Sequence, residues 1–183
     1  MKYPSVTQVL APWTDWSKIP PDKLEFAKTR GSQIHQIIHS ILEGLWVPSI
    51  PDTCAPYIES FRLWMPSVAE FVFVEKPLVD PVRKFKGTPD SLIRFHGDKG
   101  YTLPDWKSPV VQSRSWWVQT ATYRKLAQLE YPDLPIERIG SLQLSPEGRP
   151  AKFREHTSEY GGMEYLYSVF LNLLCGFQFF NGR

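Results

Sequence analysis

Ile34, Ile37, Ile38, Ile41, Leu42 and Leu45 recur at three- and four-residue spacings, which predicts a helix over residues 22–45 with one apolar stripe and an end near Gly44. From Pro48 the pattern loses its period until "YIESFRLWM" (57–65), a second short helix that stops at or just before Pro66. Residues 70–79, "EFVFVEKPLV", nearly alternate and are rich in valine and phenylalanine, as a strand requires. The basic turn "DPVRKFKG" leads to "TPDSLIRF" and "GYTLPDWK", two further strands separated by "HGDK", whose Gly97 and Asp98 suit a tight primed turn. Residues 115–129 read as a helix with Ser115 as N-cap, halted before Pro132. "IERIGSLQLS" and "PAKFREHT" flank the turn "PEGR" and give one or two more strands. A last helix, roughly 158–177, carries Met163, Leu166, Phe170, Leu173, Leu174 and Phe177 on one side. The order helix, three antiparallel strands, helix, strand or hairpin, helix predicts an α/β fold with a mixed central sheet flanked by helices.

Composition narrows the class of protein. A length of 183 residues fits one domain over 1–183, and 42% apolar with 22% charged residues is globular rather than disordered. The net charge of +2 names no partner, so the local placement of charge has to. Cys54 and Cys175 have no CxxC spacing, which excludes thiolate zinc and iron-sulfur sites and suits a reducing, cytoplasmic setting. No apolar run reaches the roughly 18 residues of a membrane span, so a soluble intracellular protein is expected.

The chemistry concentrates in "GTPDSLIRFHGDKGYTLPDWKSP", residues 87–109. With the turn centred on Gly97 and Asp98, facing residues have numbers summing to 195, so Asp90 and Asp105 oppose each other. Their Cβ atoms would lie about 4.5 to 5.5 Å apart on one face, where like charges destabilise a sheet. Lys107 follows two residues on, on the same face. One ammonium does not neutralise two carboxylates, whereas a divalent cation with oxygen ligands does.

Together "GTPD", "DWK" and the helical "QTATY" resemble the PD-(D/E)XK nuclease superfamily in its RecB-like exonuclease branch, with Gly-x-x-Asp, Asp-x-Lys and Gln119-x-x-x-Tyr123 in order. An upstream "RGSQIH", Arg30 to His35, matches that branch's Arg-Gly-x-x-x-His, and "YPSVTQVL" is similar to the start of phage-borne members. The resemblance covers residues 28–123 and implies a restriction-endonuclease-like core in α-βββ-α-β-α order. Asp105-Trp106-Lys107 is the sole acidic-x-Lys triplet in the chain.

By position, the resemblance implies that His35, Asp90, Asp105 and the Trp106 carbonyl ligate Mg²⁺ or Mn²⁺. His39 shares the same side of the helix, and only the Arg-Gly offset selects His35. Glu75 matches an acidic position on the preceding strand and would join Asp90, Asp105 and Lys107 in catalysis, with Lys107 beside the attacking water and a 5′-phosphate and a 3′-hydroxyl as products. Gln119 and Tyr123, one turn apart, would lie near the nucleic-acid backbone and the active site. Arg114, Arg124 and Lys125, interleaved with Trp116 and Trp117, suit a groove that tracks phosphates and stacks bases, and Arg83, Lys84 and Lys86 form a second basic spot. The expected activity is that of a metal-dependent DNA exonuclease at single-stranded or duplex ends, in replication, recombination or repair and alongside the proteins of those processes. It would be similar to small phage-type or mitochondrial-type single-strand exonucleases without an iron-sulfur cluster. A catalytically idle nucleic-acid-binding module or a structure-specific endonuclease on the same fold are the alternatives.

Overall fold

The computed structural model describes residues 3–14, 17, 19–108 and 112–181. A short helix α1 (Val6–Leu10) opens it, with Ser5 and Gln8 satisfying each other's backbone amides in a capping box. Helices α2 (Pro21–Leu42) and α3 (Ala55–Trp64) follow. Then come strands β1 (Val68–Val74), β2 (Leu78–Asp80), β3 (Phe85–Gly87), β4 (Ser91–Phe95) and β5 (Tyr101–Lys107). Helix α4 (Ser115–Glu130) leads to β6 (Ile136–Gln143), β7 (Lys152–Glu155) and α5 (Gly162–Asn181).

Five strands form one mixed sheet in the order β1-β4-β5-β6-β7, in which only β5 and β6 run parallel. That parallel step needs a crossover, and α4 supplies it. Two cores hold the helices to the sheet. On one face Ile34, Ile38, Ile58 and Phe61 from α2 and α3 pack with Ile93, Trp106 and Leu142. On the other, Val6, Val9, Trp116, Leu126, Phe170 and Leu174 from α1, α4 and α5 pack with Leu92, Leu103 and Ile139. Each fully buried aliphatic or phenyl side chain contributes about 1.5 to 3 kcal/mol by leaving water. Among the described residues no helix is long and apolar enough to cross a membrane.

The predicted strand over 70–79 is in fact two. Glu75 adopts φ 43° and Pro77 follows it, so β1 ends at Val74 and the chain turns into a separate β2–β3 ribbon made partly from the expected basic turn. The Gly97-Asp98 hairpin is looser than a two-residue turn, with residues 96–100 between the strands, yet Ile93 faces Thr102, which is the register with sum 195. Ser115 is the first residue of α4 rather than its cap; Arg114 stands at the N-cap, without a side-chain cap bond. The last helix begins at Gly162, four residues later than predicted, because Tyr160, Gly161 and Gly162 all have positive φ and cannot continue a helical turn.

Candidate metal centre and catalytic cluster

The cluster forms at one end of the sheet, where both helical layers reach the same strand ends. Asp90 lies immediately before β4 and is 6% exposed; Asp105 lies inside β5 and is 2% exposed. Each is two residues from a leucine, Leu92 or Leu103, of the α4-side core. The Trp106 amide donates to Asp90 Oδ2 over 2.6 Å, which joins the two strands at this point.

From the opposite layer α2 delivers His35. Its Nε2 lies 3.2 Å from the Trp106 carbonyl, its Nδ1 3.3 Å from Asp90 Oδ1 and 3.7 Å from Glu75 Oε1. Glu75 is aimed by its unusual backbone: in the left-handed region its amide donates to the Asp90 carbonyl over 2.8 Å. A non-glycine residue held there stores about 1 to 3 kcal/mol of strain, which the surrounding contacts have to offset. Ligand atoms of His35, Glu75 and Asp90 all lie within 4.8 Å of one another. Among the described residues the His39 ring reaches Glu75 alone of these groups, at 3.9 Å. The offset of "RGSQIH" thus picks out the histidine that meets Asp90.

Asp105 stands outside that trio and pairs with Lys107. The Lys107 ammonium also donates to Gln119 Oε1 over 3.1 Å and lies 5.4 Å from the centre of the Trp116 ring. Gln119 Nε2 in turn donates to the Tyr123 hydroxyl at 3.2 Å. The nearest cationic partner of the two carboxylates therefore differs, His35 for Asp90 and Lys107 for Asp105.

Electrostatics follow from this division. Burial alone would lower the His35 pKa, but Asp90 and Glu75 beside it raise it to about 10. Burial works against charge on Asp90 as well, yet His35, Lys107 and the Trp106 amide hold its carboxyl below the usual range. Burial pushes Asp105 up to about 6, with Lys107 opposing and Asp90 adding to the rise. Burial, then the Asp105 charge, raises the Tyr123 phenol.

The donor set suits a hard divalent cation: one imidazole, carboxylates and a backbone carbonyl. Glu75 Oε1 is a buried oxygen without a hydrogen-bond donor among the described residues, whereas Asp105 Oδ2 is met by the Lys107 ammonium. Such an orphaned carboxylate oxygen fits a metal site.

The residues expected to touch DNA divide. Arg114 and Lys84 are exposed. Arg124 is committed elsewhere: its guanidinium donates to the Ile136 carbonyl at 2.9 Å and to Glu164 at 3.1 Å, bracing α4 against β6 and α5. Lys125 pairs with the same glutamate. Tyr123, Trp116 and Trp117 are 4%, 7% and 4% exposed, because this face of α4 packs on the sheet and on α5. Tyr123 and Gln119 hold Lys107 instead of projecting outward. Gly87 of "GTPD" makes room for that tyrosine, since a Cβ there would lie 2.6 Å from Tyr123 Cε1.

His156 escaped the sequence reading. It is fully buried, with Nε2 2.9 Å from Ser141 Oγ, Nδ1 3.3 Å from Thr120 Oγ1 and its ring stacked on Trp117 at 4.4 Å. Burial, then Arg154, lowers its pKa to about 3. Its one signal in the sequence is a lone histidine ending a strand.

No family model matches the chain. No curated protein matches it either. Among solved structures, the crystal structure of a candidate exonuclease from Eubacterium rectale is similar, with 13% identity and a TM-score of 0.56 over 99% of this chain and 82% of that one. At that identity the likeness concerns the fold. A five-stranded mixed sheet flanked by helices, with its polar cluster at the strand ends, is the architecture of a restriction-endonuclease-like nuclease fold.

Proposed function

We propose that this chain is a divalent-metal-dependent nuclease of the PD-(D/E)XK, RecB-like type, a single domain that hydrolyses DNA phosphodiester bonds at single-stranded or duplex ends. The observation that carries the reading is the convergence of His35, Glu75 and Asp90 within 4.8 Å, with the Lys107–Asp105 pair on the neighbouring strand. A nuclease-like neighbour in fold supports it.

The ion, Mg²⁺ or Mn²⁺, would be held by His35, Glu75 and Asp90, with Asp105 and the Trp106 carbonyl completing the oxygen set. When bound, such an ion supplies Lewis-acid polarisation of the scissile phosphate and a hydroxide nucleophile near neutral pH. Lys107 donates a hydrogen bond to the attacking water and offsets the negative charge that builds on the phosphorane-like transition state. Gln119 and Tyr123 fix the ammonium, so little reorganisation is needed at the moment of reaction. In-line displacement leaves a 5′-phosphate and a 3′-hydroxyl.

The test is degradation of 5′- and 3′-end-labelled single- and double-stranded DNA with Mg²⁺ or Mn²⁺. Activity should vanish with chelator and in folded Lys107→Ala and Asp105→Ala proteins. Cutting of closed circular DNA would replace the exonuclease by an endonuclease. Salt-dependent binding without cleavage under either metal would overturn the enzymatic reading.

A further inference from the structure

Trp116 and Trp117 are buried, so neither can offer a face to a nucleobase. Their neighbourhood nevertheless holds an exposed aromatic ring. Tyr160 is 53% exposed and sits at φ 51°, ψ 40°, followed by Gly161 at φ 89° and Gly162 at φ 82°. This left-handed run lifts the tyrosine off the start of α5. Beneath it Trp117 meets the ring edge-on, with centroids 5.5 Å apart at 86°. Trp117 is in turn fixed by its stack on His156 and by donating its indole N–H to Glu159. A non-glycine residue in this conformation has to be held by its surroundings, and here the holding contacts leave more than half of it to solvent.

Arg114 lies over the same ring at 5.5 Å and has no acidic partner among the described residues. Arg154, 5.7 Å from the Trp117 ring, is partly neutralised by Glu159 at 3.5 Å. The uncompensated charge of the group is therefore the Arg114 guanidinium. Packing ties the group to the candidate site: Trp117 stacks on His156, whose Nε2 lies 2.9 Å from Ser141 Oγ, and Ser141 pairs with Asp105 between β6 and β5.

We propose, on the basis of the nuclease reading above, that Tyr160 and Arg114 form a stacking step for an unpaired strand approaching Lys107, with a base on the tyrosine ring and a phosphate on the arginine. A base pair inside a duplex has both faces covered by its neighbours and cannot use such a step, and the last pair of a blunt end leaves one face open but holds its base to the partner strand. The group thus selects substrates that present a single-stranded end.

The experiment measures binding of labelled oligothymidylate and of a blunt duplex to the full chain by fluorescence anisotropy in EDTA, so that it does not depend on cleavage. Tyr160→Asn removes the ring while keeping the left-handed conformation accessible, and it should weaken oligothymidylate binding about tenfold. Tyr160→Phe should restore it to within about twofold, and duplex binding should change by less than that in both. Arg114→Ala, which disturbs no strained backbone, should reduce the salt dependence of single-strand binding by about one unit of slope. Unchanged oligothymidylate binding in Tyr160→Asn, or equal losses on both substrates, overturns the proposal while leaving the metal-site reading intact. Loss of metal-dependent cleavage in Lys107→Ala with normal binding by Tyr160→Asn separates the two in the other direction.

Discussion

Lys107 and Gln119 meet across the gap between β5 and α4: the lysine ammonium donates to the glutamine carbonyl oxygen over 3.1 Å. Gln119→Leu would leave that ammonium with Asp105 as its remaining close polar partner. The expected outcome is a fall in kcat of about 10- to 100-fold with KM changed little, since under the proposed function the bond positions a group that acts in the transition state. Steady-state cleavage of labelled DNA checks it, and an equal effect on KM would show that Gln119 serves binding instead.

Gly87→Ala would set a methyl group 2.6 Å from Tyr123 Cε1 and 3.0 Å from Leu126 Cδ1. Both neighbours are buried in the α4-side core, so the clash is expected to destabilise the chain by about 1 to 3 kcal/mol in urea unfolding. Displacement of Tyr123 should also slacken Gln119, so activity falls at temperatures where the variant is still folded. A variant with unchanged unfolding midpoint would contradict the packing described for this glycine.

His35 predicts opposite effects with and without metal. In the metal-free chain its pKa of about 10 lies above the unfolded value near 6.5, so its stabilisation is complete below pH 6.5 and is lost as pH rises toward 10. Metal ligation requires the neutral ring, so ion binding releases a proton and strengthens with rising pH over that range. Calorimetry in buffers of different ionisation enthalpy reads the proton directly. Binding without proton release would remove His35 from the ligand set.

His156 acts at the other end of the scale. Its pKa of about 3 is below the unfolded value near 6.5, so stability is full above pH 6.5 and declines as acid is added toward pH 3. The slope contributed is about 1.4 kcal/mol per pH unit inside that window. Urea midpoints measured against pH should show it, and His156→Gln should flatten the curve if the protein folds.

The contrast between these histidines shows what one-dimensional pattern can reveal. His35 was legible because it stands at a fixed offset from Arg30-Gly31 on a helix whose apolar stripe is plain. The register of the hairpin that carries Asp90 and Asp105 was legible by arithmetic on its short loop, and Ile93 facing Thr102 has that register. His156 gave no such sign, since its partners Thr120 and Ser141 come from α4 and β6 and meet it only in the packed fold. Tyr160 escaped for another reason, and Glu75, named from the resemblance, was expected inside a continuous strand: the positive φ of both comes from tertiary contacts and runs against local preference. The pattern suggests that Trp116 and Arg124 face DNA because a helix carrying basic and aromatic residues looks two-sided until the packing of α5 and β6 on it is known.

Because His35 comes from a layer on one side of the sheet and Gln119 from the layer on the other, no segment that lacks α2 or α4 holds the complete cluster. A chain still being translated has its carboxylates in hand before the crossover helix can dock to steady Lys107. Under the proposed function, cleavage then waits until α4 has emerged and packed on the sheet.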